Sequence, residues 1–216
     1  VALLLGACAG AFSGALITWF RIPPFIATLA LMSSLRGLGN LITDGKPISP
    51  LPDAYGRLGR FQIGGWLPVS VLVFAVVIAG GAVLLGQTQF GRHVRALGGN
   101  EESARLSGIN VGRVKRRVYL LCGALTALSG LILSSRLGAG SPKVGVGDEL
   151  AVIAAVVVGG TSLSGGRGGI GGTFVGLLVV AFLNSGLTWI GVETFGQQVT
   201  LGIVILAAVL LDRIKP

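Results

Sequence analysis

The chain alternates long apolar runs with short polar interruptions, and the lengths of those runs give the first reading. About 20 consecutive apolar residues suffice to cross the hydrocarbon core of a bilayer as a helix. Runs of that kind are predicted at 1–20, 25–43, 66–87, 118–137, 173–190 and 195–211. A further apolar run at 150–158, reaching at most to 163, is too short to cross as a plain helix. The pattern therefore predicts an all-α, polytopic transmembrane helical bundle of about seven spans, one of them short or broken. Pro23 and Pro24 suit the first turn of the second span. Trp66 opens the third span where an interfacial aromatic belongs. Residues 44–65 and 138–149, rich in Gly and Pro, are expected as extramembranous loops.

One interruption differs from the rest. Residues 89–117 hold Arg92, Arg95, Arg105, Arg113, Lys115, Arg116 and Arg117 against only Glu101 and Glu102. Positive charge beside apolar spans marks a cytoplasmic loop. Within it, Asn100 is a candidate N-cap, and Glu101 and Glu102 stand in the first turn, where the helix dipole favours anions. Gly108 ends the run. The expectation is a helix of about two turns over 101–107, outside the membrane and available to a soluble partner.

Composition agrees with the pattern and narrows it. The chain has 216 residues, 52% hydrophobic and 12% charged, with mean hydropathy +0.84; a soluble domain carries about a quarter charged residues. The net charge of +9 does not point to nucleic acid, because the basic residues flank apolar runs and no aromatics interleave with them. With the island inside, Arg21, Arg167, Arg213 and Lys215 share its side, and fewer cations (Lys46, Arg57, Arg60, Arg136, Lys143) fall opposite. That bias places the island and the C-terminal end in the cytoplasm and Val1 outside. The chain opens on Val1 inside an apolar run, with no Met and no basic leader, so the expectation is a single transmembrane domain over 1–216 that lacks at least one upstream span.

Catalytic chemistry is not expected. The single histidine, His93, sits among the island's cations, and Asp148 and Glu149 are adjacent and so point different ways. Metal ligation lacks the necessary His and Cys; Cys8 and Cys122 read as buried packing thiols. The glycine-rich stretch 159–172 has Gly160 and Gly165 at nucleotide-loop spacing, but Gly166 and Arg167 stand where Lys and Ser/Thr are needed. It reads as a broken helix or re-entrant turn, with a flexible linker as the alternative. Polar residues inside spans are the remaining signal. Arg36 and Asn40 share a helix face, Asn184 lies midway along the sixth span, and Thr161 and Ser162 cap the short run. They fit a pathway for a neutral polar solute or, alternatively, hydrogen-bonding glue between helices.

The segments PPFIATLALMSSLRGL (23–38), LITDGKPIS (41–49), RALGGNEESARLSGINVGRVK (95–115), ELAVIAAVVVGGTSLSGG (149–166) and GTFVGLLVVAFLNSGL (172–187) resemble the permease subunits of bacterial ABC sugar importers of the ribose, xylose and galactose group. Branched-chain amino acid permeases are related to that group. The resemblance implies a multi-pass inner-membrane protein that moves a monosaccharide by alternating access and is no enzyme itself. It implies two cytoplasmic ATPase subunits or one fused ATPase, which bind ATP and magnesium, a periplasmic sugar-binding protein, and a second permease copy. By analogy the coupling segment to the ATPase comprises Gly99, Asn100, Glu101, Glu102, Ser103, Ala104, Arg105, Leu106, Ser107 and Gly108. A secondary transporter is the rival reading; it places ionisable Asp, Glu or His mid-membrane, and the spans here hold none.

Overall fold

In a computed structural model, residues 1–214 are described, without the side chains of residues 53, 54, 57, 58, 63 and 211–214. The run lengths become helices: α1 (Ala2–Trp19), α2 (Pro24–Thr43), α3 (Asp53–Arg60), α4 (Val69–Gln87), α5 (Gln89–Gly99), α6 (Glu101–Leu106), α7 (Val111–Leu137), α8 (Asp148–Val158), α9 (Ile170–Trp189) and α10 (Thr194–Ile214). Five of them, α1, α2, α4, α7 and α9, are long and apolar enough to cross a membrane. The apolar part of α10 and the 11-residue α8 are shorter. The only sheet among the described residues is a two-residue hairpin, Gln62–Ile63 with Leu67–Pro68.

Several boundaries differ from expectation for physical reasons. The loop 44–65 contains α3, because Tyr55 and Gly59 give that segment a face that fits α7. Trp66 lies in the hairpin turn, 82% exposed, and α4 begins at Val69. α7 starts seven residues before the apolar run, since Asn110 caps it by accepting from Arg113 N–H at 2.9 Å. Its first two turns carry the island's cations outside the apolar stretch. Cys8 and Cys122, expected to be buried, are exposed on α1 and α7. Lys215 lies outside the described residues, as does the Arg213 side chain.

The helices form two compact units. In the first, 1–76 with 110–144, α1 and α7 run antiparallel along a glycine seam. Gly6, Gly10 and Gly14 recur every four residues, so they make one ridge on α1. A Cβ at Gly10 would strike the Tyr119 carbonyl, and one at Gly123 the Gly6 carbonyl. Only hydrogen at these positions lets the two backbones meet, the usual device of helix pairs in membranes. Arg116 then stacks over the Trp19 ring, 5.7 Å from its centroid, at the end where α1 stops. At the opposite end of α7, helix α3 is fastened by Ser135. That side chain is 0% exposed; it donates to the Tyr55 carbonyl at 2.6 Å and accepts from Gly59 N–H at 2.8 Å. Tyr55 Oη meets Ser134 Oγ at 2.6 Å. A 550 Å³ cavity bounded by Ser49, Arg60, Phe61 and Gly138 opens beside this clasp.

The second unit comprises 77–109 and 145–216. Its core is Ala154, Ala155, Val180 and Leu201, where α8, α9 and α10 meet. α8 and α9 approach through glycine as well: a Cβ at Gly176 would strike the Ala155 carbonyl, and one at Gly172 the Gly159 carbonyl. The pairing of 155 with 176 and 159 with 172 makes the two helices antiparallel. α8, about 16 Å long at 1.5 Å per residue, therefore covers little more than half of α9.

Candidate functional site

The polar island folds as two helices rather than the single one expected. α5 follows α4 after one residue, Thr88, whose side chain accepts from Gly91 N–H at 3.2 Å and donates to the Leu84 carbonyl at 2.6 Å. Gly91 is buried in this elbow, and a Cβ there would strike the Leu85 carbonyl. The chain therefore turns sharply at 88–91 and leaves the apolar run as a second, amphipathic helix. α5 carries Arg92, His93 and Arg95, all exposed.

Asn100 ends α5 and starts α6. Its backbone is extended (φ −159°, ψ 113°), which breaks the helix, and its Oδ1 accepts from Ser103 N–H at 2.8 Å. Glu101 and Glu102 occupy the first turn and Arg105 the last, the arrangement the helix dipole favours. Arg105 reaches both carboxylates, 3.7 Å from Glu101 and 3.9 Å from Glu102; these exposed pairs add little stability. Gly108 closes the helix at φ +82°, with Gly108 N–H donating to the Arg105 carbonyl and Ile109 N–H to the Ala104 carbonyl. These two bonds make a Schellman motif, which a residue with a side chain would strain.

Capped at both ends, α6 has two distinct faces. Ala104 is 3% exposed and turns inward. Glu101, Glu102, Ser103, Arg105, Leu106 and Ser107 are exposed, and Leu106 shows 82% of its surface. Leu106 is therefore a large apolar side chain held out between Arg105 and Ser107 on a short helix capped at both ends.

The glycine-rich stretch meets the island directly. α8 ends in a second Schellman motif, with Gly160 at φ +81°, Gly160 N–H on the Val157 carbonyl and Thr161 N–H on the Val156 carbonyl. Thr161 thus caps α8 through its backbone, and its side chain packs where Gly168 has no Cβ. Ser162 organises the turn: its N–H donates to the Arg167 carbonyl at 3.1 Å, and its Oγ accepts from Ser164 N–H at 3.3 Å. The tip of the loop lies against α5, since a Cβ at Gly98 would fall 2.5 Å from Gly166 N and one at Gly165 2.6 Å from the Gly98 carbonyl. Thr161 and Ser162 therefore belong to a built turn at the island's end of α8 and α9. Arg167 shares the island's side of this unit, as the charge distribution predicts.

The other polar residues singled out in the spans belong to different units. In the first unit, Asn40 Nδ2 donates to the Arg36 carbonyl at 2.9 Å, and the helix ends four residues later in a left-handed Asp44. Arg36 is half-buried and has no acidic partner within 4 Å among the described residues. In the second unit, Asn184 is half-buried on α9, and its carbonyl accepts from Thr188 Oγ1 at 2.9 Å. No cluster of three or more His, Cys, Asp or Glu able to hold a metal occurs among the described residues.

Membrane-length helices joined by a basic island that carries an exposed, doubly capped helix define a polytopic membrane protein. The family model described as branched-chain amino acid transport system / permease component matches residues 1–209, and the chain belongs to that family. It is an integral, multi-pass component of the inner membrane. The chain is 52% identical over 206 residues to the ribose import permease protein of Bacillus subtilis (strain 168), covering 94% of this chain and 63% of that protein. It is 45% identical over 217 residues to the ribose import permease protein of Escherichia coli (strain K12), covering 99% and 68%. The xylose transport system permease protein of the same strain is 36% identical over 272 residues, covering 98% and 69%. The chain thus spans just under two thirds of the first of these relatives. No solved structure matches it.

Proposed function

We propose that the chain is the membrane-spanning permease of an ATP-binding-cassette importer that moves a monosaccharide into the cell. The observation that carries this reading is α6, a six-residue helix capped by Asn100 and Gly108 that holds Leu106 out between charged neighbours. A partner ATPase pair, or one fused ATPase, binds ATP and magnesium and receives α6 in a groove. The permease itself supplies no catalytic group. The substrate class follows the ribose and xylose named for the relatives; the family description leaves branched-chain amino acids as the alternative.

In this reading, closure of the ATPase pair displaces residues 99–108, and the helices rock as rigid bodies between inward- and outward-open states. Free energy comes from the different affinity of ATP for the two states. Arg36, Asn40 and Asn184 are the pathway candidates, since a neutral sugar needs hydrogen-bonding groups at membrane depth. Thr161 and Ser162 serve the glycine loop instead. The loops 44–65 and 138–148, including the α3 clasp, face a periplasmic sugar-binding protein, and a second permease copy completes the translocator.

Co-purification with the candidate ATPase tests the reading, comparing wild type with Glu102→Arg and Leu106→Glu. Loss of the complex from a permease that remains folded in detergent is the expected result. Retained assembly with retained sugar-stimulated ATP hydrolysis sends the assignment back to a secondary transporter.

A further inference from the structure

α6 is continued in sequence by the long α7, which makes α7 the obvious receiver of any displacement of the docking helix. The contacts within the second unit suggest another route. α5 and α6 are joined by one residue, Asn100, so α6 cannot move far without α5. α5 is about 16 Å long and is held at both ends by glycine. At its start, buried Gly91 lies against the Leu85 carbonyl in the elbow with α4. At its end, Gly98 lies against Gly165 and Gly166 with no side chain between the two backbones.

Gly165 and Gly166 both have positive φ, +92° and +76°, so a side chain at either is strained whatever the space. The loop they belong to is internally bonded. Ser162 N–H meets the Arg167 carbonyl at 3.1 Å, and Gly165 N–H meets the Ser162 carbonyl at 3.2 Å. A push at 165–166 therefore reaches both ends of the loop rather than being absorbed in it. Those ends are the C-terminus of α8, at Gly159, and the N-terminus of α9, at Ile170. The two helices are themselves in backbone contact where Gly159 meets Gly172. Close-packed backbone passes on displacement, because no rotamer can yield to take it up.

We infer that Gly98, Gly165 and Gly166 form the joint through which displacement of the docking helix is passed to the α8–α9 pair. α5 acts as the lever and the glycine loop as its stop. These are positioning residues, and the inference rests on the docking role proposed for α6. An added methyl group at the joint would hold α5 off the loop while leaving the exposed face of α6 in place. The variant would then bind the ATPase and hydrolyse ATP without moving solute.

The test uses the full permease with its ATPase and binding protein in proteoliposomes, carrying Gly98→Ala or Gly166→Ala. Gly171→Ala, an exposed helical position with nothing near its Cβ, is the control. The expected result is an intact complex with ATP hydrolysis within twofold of wild type and uptake per ATP at least tenfold lower. Uptake per ATP equal to the control overturns the joint; so does loss of the complex, which would give these glycines only the task of shaping the island. Hydrogen exchange on the wild-type complex supplies a second reading that needs no variant. Amides 164–170 should change protection between nucleotide-free and ATP-analogue states, and equal protection in both overturns the inference. If the wild-type permease binds no ATPase at all, the docking reading itself fails, which is a separate result.

Discussion

The two glycine seams of this chain use the same chemistry for different ends. Between α1 and α7, Gly6, Gly10, Gly14 and Gly123 bring two long helices together over most of the length of α1, and Arg116 over Trp19 finishes the contact. Between α8 and α9, Gly159, Gly172 and Gly176 do the same over barely half of α9. The first seam ends in the Arg116–Trp19 contact; the second runs into a loop that rests on α5. A seam that spans a helix welds it to its neighbour. On the lever proposal, one that stops halfway and ends at α5 holds two helices together while they are moved.

Substitutions can break that comparison in order of size. Gly10→Leu inserts a side chain against the Tyr119 backbone and should cost about 3 kcal/mol of stability, the upper range for overpacking. A fall in the detergent melting temperature checks it, with the ATPase complex losing yield only as the fold is lost. Gly176→Ala in the shorter seam should cost about 2 kcal/mol by the same mechanism. It should also depress uptake more than its stability loss explains, measured at a temperature where both proteins are folded. Equal effects on stability and uptake at the two seams would remove the distinction.

Smaller effects sharpen it. Ser135→Ala leaves Gly59 N–H without its buried acceptor and should cost about 1.5 kcal/mol, within the range for an unsatisfied donor. Limited proteolysis should then cut faster within 44–65, with ATPase binding unchanged. Asn100→Ala removes the α6 cap and should cost about 1 kcal/mol, or about fivefold in affinity for the ATPase by titration.

Much of this was legible in the sequence, and the limits are instructive. Run length predicted the apolar helices to within three residues, except the start of α7, because burial of a whole helix in lipid is the strongest demand on such a chain. The caps of α6 could be read because Asn100 and Gly108 act locally, through their own turn. The island's second helix, α5, carried a helical signal in Phe90, Val94 and Leu97 at i, i+4 and i+7, but the charges around it mask that stripe and its place depends on Gly91 meeting Leu85. The clasp around Ser135 was also hidden: it joins residues 76 or more apart. A four-residue glycine spacing at 6, 10 and 14 was present as a signal, but the partner face on α7 appears only in three dimensions. The glycine loop illustrates the same point, as its composition suits a linker and only its contact with Gly98 makes it a built element.

The brevity of α6 has a practical consequence for anyone seeking to block it. Six residues cannot hold a helix in water, where isolated helices shorter than about 12 residues are marginal. A synthetic peptide copying residues 100–108 would be unstructured and a weak competitor for any ATPase groove. Effective mimicry would need the whole segment from Thr88 to Asn110, or a covalent staple in place of the two caps.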